Sequence, residues 1–457
     1  MRSASVDLLN NADFSLDSSG VAGFFGGEEA VSAMGTVHLY RKQKWLGWYN
    51  SPGSYTVAKQ YGKLANNRFW DALFPGEDVE PAEFFGLDGK AGPEFIAWSS
   101  GNRLPTTGHI AYLIMKAAQS AKEIEVERKY ELGNRSRPSR VTVVDLKTVE
   151  KLSSKPSPLG APPSKLKSPD RISPELLRKT SYWAAGVTMF LSIAPCIACA
   201  VFEDWFCFAM ILLGIFSNGL SCFVIGSGEL QYKKPKPSPN SPPGDGILIA
   251  GPEVIILRGE ESRVGAVITG KLKLEYAGGA ERPFIGICSL FQYGQFLAQL
   301  LLIPQGTLFG QLMFLATFVA SWVYNCYLSS RDKEKLQVEL MTKALDNPEI
   351  QRFKLETRTT MVVFALLVLQ PQDPAEFLDK LLPRGTDTWT NWRIKVLEQF
   401  KSGREFDFKI PKKPAPDADA LLDDLLKDAE TAYAAYKHPY FHILPWRRRA
   451  ACHFAHS

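Results

Sequence analysis

The chain has 457 residues, of which 22% are charged and 45% hydrophobic, with a formal net charge of +5 at pH 7. That length allows two or three domains, and so small a positive excess gives no reason to expect nucleic acid as a partner. Six of the seven cysteines (Cys196, Cys199, Cys207, Cys222, Cys288 and Cys326) fall inside two apolar blocks and only Cys452 lies outside. This excludes the disulfide framework of a small secreted protein, whose cysteines scatter through polar loops.

The opening "MRSASVDLLNNADFSLDSSG" carries acids and amides where a signal peptide needs an apolar core. Position 2 is not the glycine of a myristoylation signal, and the closing "HFAHS" is not a prenylation box. Membrane attachment is therefore expected to be internal. Residues 1–135 read as an N-terminal cytosolic region, with a helix near Gly108–Ala121 passing into a charged strand or helix. No phosphate-binding loop, dinucleotide-binding glycine pattern or nucleophile elbow is visible.

Residues 136–180 form a Ser/Pro/Lys-rich linker whose composition buries no core and predicts disorder. Ser157, Ser168 and Ser173 precede proline, as do Ser238 and Ser241 further on. That setting suits proline-directed phosphorylation, and it suits a plain spacer equally well.

The first apolar block, 181–228, reads "SYWAAGVTMFLSIAPCIACAVF", then "ED", then "WFCFAMILLGIFSNGLSCFVIGSG". Each half is about 20 residues long, one helical crossing of a bilayer. Glu203 and Asp204 at the middle of one longer helix would each cost roughly 2.5–3.5 kcal/mol. Folding the chain there, with both acids in water, predicts a helical hairpin. Cys196 and Cys199 then share one face of a membrane helix with neither a second CxxC nor an intramembrane histidine, so they read as packing residues and not as a metal or redox site. Cys222 and Cys326, near the ends of their spans, suit acylation better.

A β-rich cytosolic insert follows at 229–282, with strands expected over Val254–Leu257, Val264–Thr269 and Lys271–Tyr276. So few strands are marginal alone, and pairing with "RVTVVDL" at 140–146 would make one composite domain. The second apolar block, 283–328, repeats the hairpin, with Pro304 and Gly306 at its turn. Within it Gln292, Gln295 and Gln299 share one face, and Thr317, Ser321 and Asn325 stand four apart on the next span. The second span adds Ser217, Asn218 and Ser221. This predicts a polar transmembrane seam, read either as hydrogen bonds holding the bundle together or as an uncharged solute path.

Basic residues flank the spans on one side: Lys165, Lys167, Arg171, Arg178 and Lys179, then Lys233, Lys234 and Lys236, then Arg331, Lys333 and Lys335. The positive-inside rule places both termini and the central insert in the cytosol. Residues 329–410 read as a C-terminal cytosolic helical region. In it "TTMVVFALLVL" (359–369) is too short to cross, so it is a buried strand or helix, or an interfacial segment. Asp373 and Pro374 cap the next helix. Residues 411–457 hold an acidic helix and a basic-aromatic tail. There His438, His442, Cys452, His453 and His456 invite a zinc reading that Pro439 weakens. Trp446 beside Arg447, Arg448 and Arg449 suits an anionic leaflet, or a solvated tail.

At "LLLIPQGTLFGQLMFLATFVASWVYN…LSSRDKEKLQ", and again at "TRTTMVVFALLVLQP…PAEFLDKLLP…TWTNWRIKVLEQF", the chain resembles uncharacterised multi-span membrane proteins of mushroom-forming (basidiomycete) fungi. The resemblance covers roughly the second half of the chain, with a weaker echo in the first hairpin, and it implies no activity. The expected fold is an α-helical membrane protein, four transmembrane helices as two hairpins with a mixed α/β cytosolic portion. No catalytic constellation, cofactor site or metal site is read from the residues. The expected function is a non-enzymatic membrane-anchored scaffold or regulator, with a small transporter or channel subunit as the alternative. Its expected partners are the lipid bilayer and cytosolic proteins reached through the linker and tail.

Overall fold

The computed structural model describes residues 23–65, 68–75, 79–126, 139–146, 172, 175–176, 179–236, 243–276, 281–355, 357–383, 385–408 and 420–437. Ser157, Ser168, Ser173, Ser238 and Ser241, the Asn134-Arg135-Ser136 glycosylation sequon and the terminal His/Cys group lie outside these residues, but of the expected linker 136–180 residues 140–145 form a largely buried strand and not a spacer. The chain divides into two compact units, each assembled from three stretches. One comprises Met1–Gly89, Pro162–Lys233 and Lys271–Ala344, and the other Lys90–Ala161, Lys234–Gly270 and Leu345–Ser457.

The first unit contains four helices long and apolar enough to cross a membrane: Ser181–Val201, Trp205–Ile225, Phe284–Gln305 and Leu308–Ser329. Residues of 1.5 Å rise give each about 32 Å of length. The hairpin picture needs amending. The third long helix packs chiefly on the second and on a shorter helix, Ser54–Leu64; the fourth packs on the first, the second and another short helix, Gly27–Met34. The polar faces that the sequence sets opposite one another are thus lined by the N-terminal segment.

The second unit is a seven-stranded mixed sheet. Its strands in chain order are β1 (Glu94–Ala97), β2 (Arg103–Leu104), β3 (Glu123–Glu125), β4 (Arg140–Asp145), β5 (Gly246–Ala250), β6 (Glu253–Arg258) and β7 (Glu349–Lys354). Their spatial order is β2-β1-β5-β6-β4-β7-β3. At its centre β4 runs parallel to β6, with Val141 opposite Val254 and Val143 opposite Ile256, so 140–146 does pair with the insert. These residues point to one face, where they form a core with helices Arg358–Leu369, Pro374–Leu381, Asp387–Ser402 and Ala420–Tyr436. The alternate residues Thr142, Val144, Ile255 and Leu257 are also buried, as expected of a sheet covered on both faces. The apolar segment at 359–369 is a helix buried along its whole length, and Asp373 caps the next helix by accepting from the Ala375 and Glu376 amides.

Three expectations about boundaries and strands change. Residues 1–135 are not one region, because the chain passes between units at Gly89, and 229–282 divides likewise at Lys233 and Gly270. Strands Glu229–Lys233 and Lys271–Glu275 pair with each other in the first unit, leaving 234–270 to the sheet unit. Val264–Thr269 belongs to a helix, Glu261–Thr269. Short apolar runs are ambiguous between strand and buried helix, and Val264, Val267 and Ile268 fall at helical spacing, all buried.

Candidate functional site

Residues 44–58 make a re-entrant path within the first unit. Lys44 and Trp45 lie against Phe223. The Gly47 carbonyl accepts from Asn218 Nδ2 at 2.8 Å, and Asn50 reaches Gly214, near the midpoint of Trp205–Ile225. The chain turns at Ser51–Gly53 and returns as helix Ser54–Leu64 along the third long helix. Ser54 Oγ donates to Gln299 Oε1 at 3.2 Å, Tyr55 packs on Phe296, and Ser289 Oγ donates to the Ala58 carbonyl at 2.6 Å. The segment therefore enters and leaves at the same end of the long helices.

Its turn depends on glycine. Gly53 has φ +75°, and a Cβ there would lie 2.2 Å from Gly27 Cα. The helix Gly27–Met34 thus starts beside the helix Ser54–Leu64, and the Tyr55 amide donates to the Gly23 carbonyl at 3.0 Å. Neither helix has a side-chain N-cap. Gly214 is equally constrained, because a Cβ on it would lie 1.8 Å from Asn50 Oδ1.

The structure buries every residue of the expected seam: Gln292, Gln295, Gln299, Thr317, Ser321, Asn325 and Asn218. It does not pair them chiefly with one another. Asn50 Nδ2 donates to Thr317 Oγ1 at 2.9 Å, the Tyr49 hydroxyl donates to Asn325 Oδ1 at 2.8 Å, and Asn325 Nδ2 donates to Ser51 Oγ at 3.2 Å. Of bonds between long helices, the seam adds Gln292 Nε2 donating to Ser221 Oγ at 3.5 Å. Sequence reasoning missed Asn50, Ser51 and Ser54. The available signal was the charge-free stretch between Lys44 and Lys59, of a length that points to a re-entrant segment.

Toward the turns the bundle changes character. Cys199, Cys207, Met210, Ile303, Phe314 and Phe318 form a buried apolar cluster that also holds Cys196. Beyond it Asp204 is not in water with Glu203, as expected, but only 3% exposed. Its carboxylate accepts from the Cys207 amide at 3.0 Å, the Thr307 amide at 2.8 Å and the Thr307 hydroxyl at 2.7 Å. Those donors satisfy the charge and join the two turns, which is why burial is tolerated. Cys222 is no acylation site in this fold, since it is buried with its thiol directed at the Gln43 carbonyl. Among the described residues no group of His, Cys, Asp and Glu is arranged to hold a metal ion.

The sheet unit has a smaller polar cluster. Arg352 lies 3.0 Å from Glu253 and 3.4 Å from Glu123, and Thr142 Oγ1 donates to Glu253 at 3.2 Å. This network bridges strands β3, β4, β6 and β7. Burial pushes the Asp245 carboxyl up, against the Gly259 amide that donates to it.

No protein-family model matches the chain, and no curated protein or solved structure matches it.

Proposed function

We propose that the protein is an integral membrane protein, acting as a non-enzymatic scaffold or regulator that anchors its α/β unit to a bilayer. One observation carries the reading: the long helices are apolar outside and polar inside. Trp183, Val201, Leu301 and Phe190 are 77%, 71%, 70% and 68% exposed, while Gln295, Gln299, Thr317 and Ser321 are at most 1% exposed. An apolar face along four helices far exceeds the patches of a few hundred Å² found on soluble monomers. Exposed aromatics sit near both ends, Trp183 and Phe284 at one, Phe202 and Trp205 at the other, as in the belts of membrane proteins. The one-sided Lys and Arg flanks support cytosolic termini with both turns on the opposite side. Proteins of the cytosol that bind the Ser/Pro/Lys-rich linker or the basic-aromatic tail belong to the same proposal.

Filling of the seam by the protein's own chain, and the apolar cluster beyond it, favour anchoring over conduction. The alternative, a small transporter or channel subunit, has one observation in its favour. Two half-length helices begin near mid-depth, the arrangement that builds midplane sites in transporters. The test has three readings. The protein should resist alkaline carbonate extraction from membranes. A sequon in a lengthened turn after Val201 should gain glycan while Asn134 does not. Purified protein in liposomes should pass ions and neutral solutes no faster than empty vesicles. Carbonate release would end the membrane reading, glycan on Asn134 would invert the topology, and solute flux would replace the scaffold by the transporter.

A further inference from the structure

The re-entrant segment and its two limbs carry charge of one sign. Between Glu29 and Asp71 the chain holds Arg41, Lys42, Lys44, Lys59, Lys63 and Arg68 and no acid. None of the six makes an ion pair among the described residues, whereas exposed bases elsewhere do, as Arg103 with Glu94, Lys233 with Glu275 and Lys380 with Glu376. Three of the six share one turn. A Cβ on Gly226, which ends the second long helix, would lie 2.6 Å from Lys44 Cβ. Lys44 Nζ stands 5.5 Å from the centre of the Phe223 ring, and the Trp45 ring lies 4.8 Å from it while 53% exposed. Arg41 and Lys42 are exposed. Lys42 has φ +69°, a left-handed backbone that glycine takes without strain and lysine seldom adopts. The turn alone would favour glycine, so a lysine there is explained by its side chain. The other limb repeats the arrangement at the same end of the long helices. Trp70 fills the space beside Gly286 near the start of the third long helix, and Phe69, next to Arg68, is 61% exposed.

We propose that Arg41, Lys42 and Lys44, with Trp45 and Phe223, form a site for the headgroup of an anionic phospholipid in the leaflet at this end of the bundle. Headgroup phosphate and carboxylate oxygens accept from the guanidinium and the two ammonium groups, and the two rings cover the lipid where headgroup gives way to acyl chain. Two simpler roles explain part of the pattern. A base at a helix C-terminus complements the helix dipole, which accounts for Lys44 but not for exposed Arg41 and Lys42. Bases beside spans fix topology during insertion, which needs neither the ring pair nor a lysine in a left-handed backbone. A soluble anion would pair the charges and leave Trp45 in water; a lipid pairs the charges and covers Trp45 together. The site rests on the membrane reading proposed above, and it is independent of whether the protein acts as scaffold or transporter.

Native mass spectrometry of the full chain tests the site, with delipidated protein in mild detergent titrated with phosphatidylserine or phosphatidylcholine of the same acyl chains. Phosphatidylserine should bind several-fold more tightly, and rising salt should erase the difference. Arg41→Gln with Lys42→Gln and Lys44→Gln should lose most of that preference. Lys395→Gln with Lys401→Gln and Arg404→Gln removes the same charge from exposed positions of the α/β unit and should keep it. Lys42→Gly relieves the backbone and should bind phosphatidylserine more weakly than Lys42→Arg; this pair decides the matter if the triple variant does not fold. Equal wild-type affinity for the two lipids would overturn the proposal, and so would an equal loss in the two triple variants. Displacement by glycerophosphoserine as effective as that by phosphatidylserine would show a site for soluble anions and overturn it too. Carbonate extraction of the same protein separates the failures. Release from membranes ends the membrane reading, whereas retention without a preference for phosphatidylserine ends this proposal alone.

Discussion

In the α/β unit the centre is made by Phe353, Phe364, Phe377 and Trp392, each under 2% exposed; in the long-helix unit the middle is held by Asn50, Gln295, Gln299 and Asn325, buried to the same degree. In that unit many apolar side chains face outward instead, Trp183, Phe190, Val201 and Leu301 among them. Water drives the first arrangement, at about 25 cal/mol per Å² of apolar surface removed from it. Between helices in lipid that drive is absent, and packing with hydrogen bonds must hold the bundle. With the long helices in a bilayer, as proposed above, the two units of one chain are built for opposite environments. Whole-chain composition averages the two and looks ordinary.

The comparison breaks most visibly through the α/β core. Phe364→Ala removes a fully buried ring that packs on Phe353 of strand β7 and should cost about 3–5 kcal/mol. Amide hydrogen exchange should speed up in strand β7 while amides of the long helices keep their protection. Equal loss of protection in both units would mean that they unfold as one.

Next in size is a titration in the long-helix unit. His38 is buried against Phe85, and its Nδ1 lies 3.3 Å from the Gly228 carbonyl. A carbonyl only accepts, so Nδ1 carries the hydrogen. Burial lowers the pKa from 6.5 to about 4, with the Gly228 bond opposing. The unfolded chain therefore binds a proton first. Stability is full above pH 6.5 and falls as pH drops from there toward 4, by about 3 kcal/mol in all. His38→Gln keeps a neutral donor and should flatten that part of the pH dependence, measured by chemical unfolding at pH 7.5 and 4.5.

Legibility in the sequence follows the same division. The four long helices were readable because charge-free runs of crossing length have few other uses. Strand 140–146 and the cap at Asp373 were readable because alternation and N-cap chemistry are local. The re-entrant segment was not read, although "WLGWYNSPGSYTVA" carries no charge. Its Asn, Pro and glycines look like a surface turn, and only the partners on Asn218, Thr317 and Asn325 reveal a buried one. The seam residues were visible by spacing, but spacing cannot tell whether a polar face meets another helix or a returning loop. Asp204 was misread for the same reason, since its three donors come from a neighbouring amide and from Thr307, a hundred residues away in sequence.

Gly214→Val sharpens the comparison from the other side by overfilling the polar middle. The added side chain would occupy the place of Asn50 Oδ1, at about 1–3 kcal/mol for overpacking. Amides at 46–53 should exchange faster, and the α/β unit should be unaffected. Unchanged exchange at 46–53 would mean that the segment is not wedged against the second long helix.

Both units contain the same device, which allows the closest comparison and, at Thr357, the smallest effect. Thr307 caps the fourth long helix by accepting from the Gly310 amide at 3.1 Å, and its hydroxyl donates to Asp204 at 2.7 Å. Thr357 caps the buried helix Arg358–Leu369 by accepting from the Thr360 amide at 3.0 Å, and donates to Asp428 at 2.9 Å. Valine keeps the shape and removes both bonds, and at Thr357 also the 2.6 Å bond between its hydroxyl and that of Thr360. Loss of a cap alone costs about 1 kcal/mol, which is the expected effect of Thr357→Val, since Asp428 is only half-buried and water can replace the lost donor. Asp204 is 3% exposed, so Thr307→Val leaves a buried carboxylate one donor short and should cost nearer 2–3 kcal/mol. Asp204→Asn in the Thr307→Val background should then recover part of that loss, because a neutral amide tolerates the missing donor better. Asp428→Asn in the Thr357→Val background should recover little. Unfolding measured on the four variants decides it. Equal costs for the two threonine changes would mean that water reaches Asp204, and that the turn end of the bundle is wetter than its packing indicates.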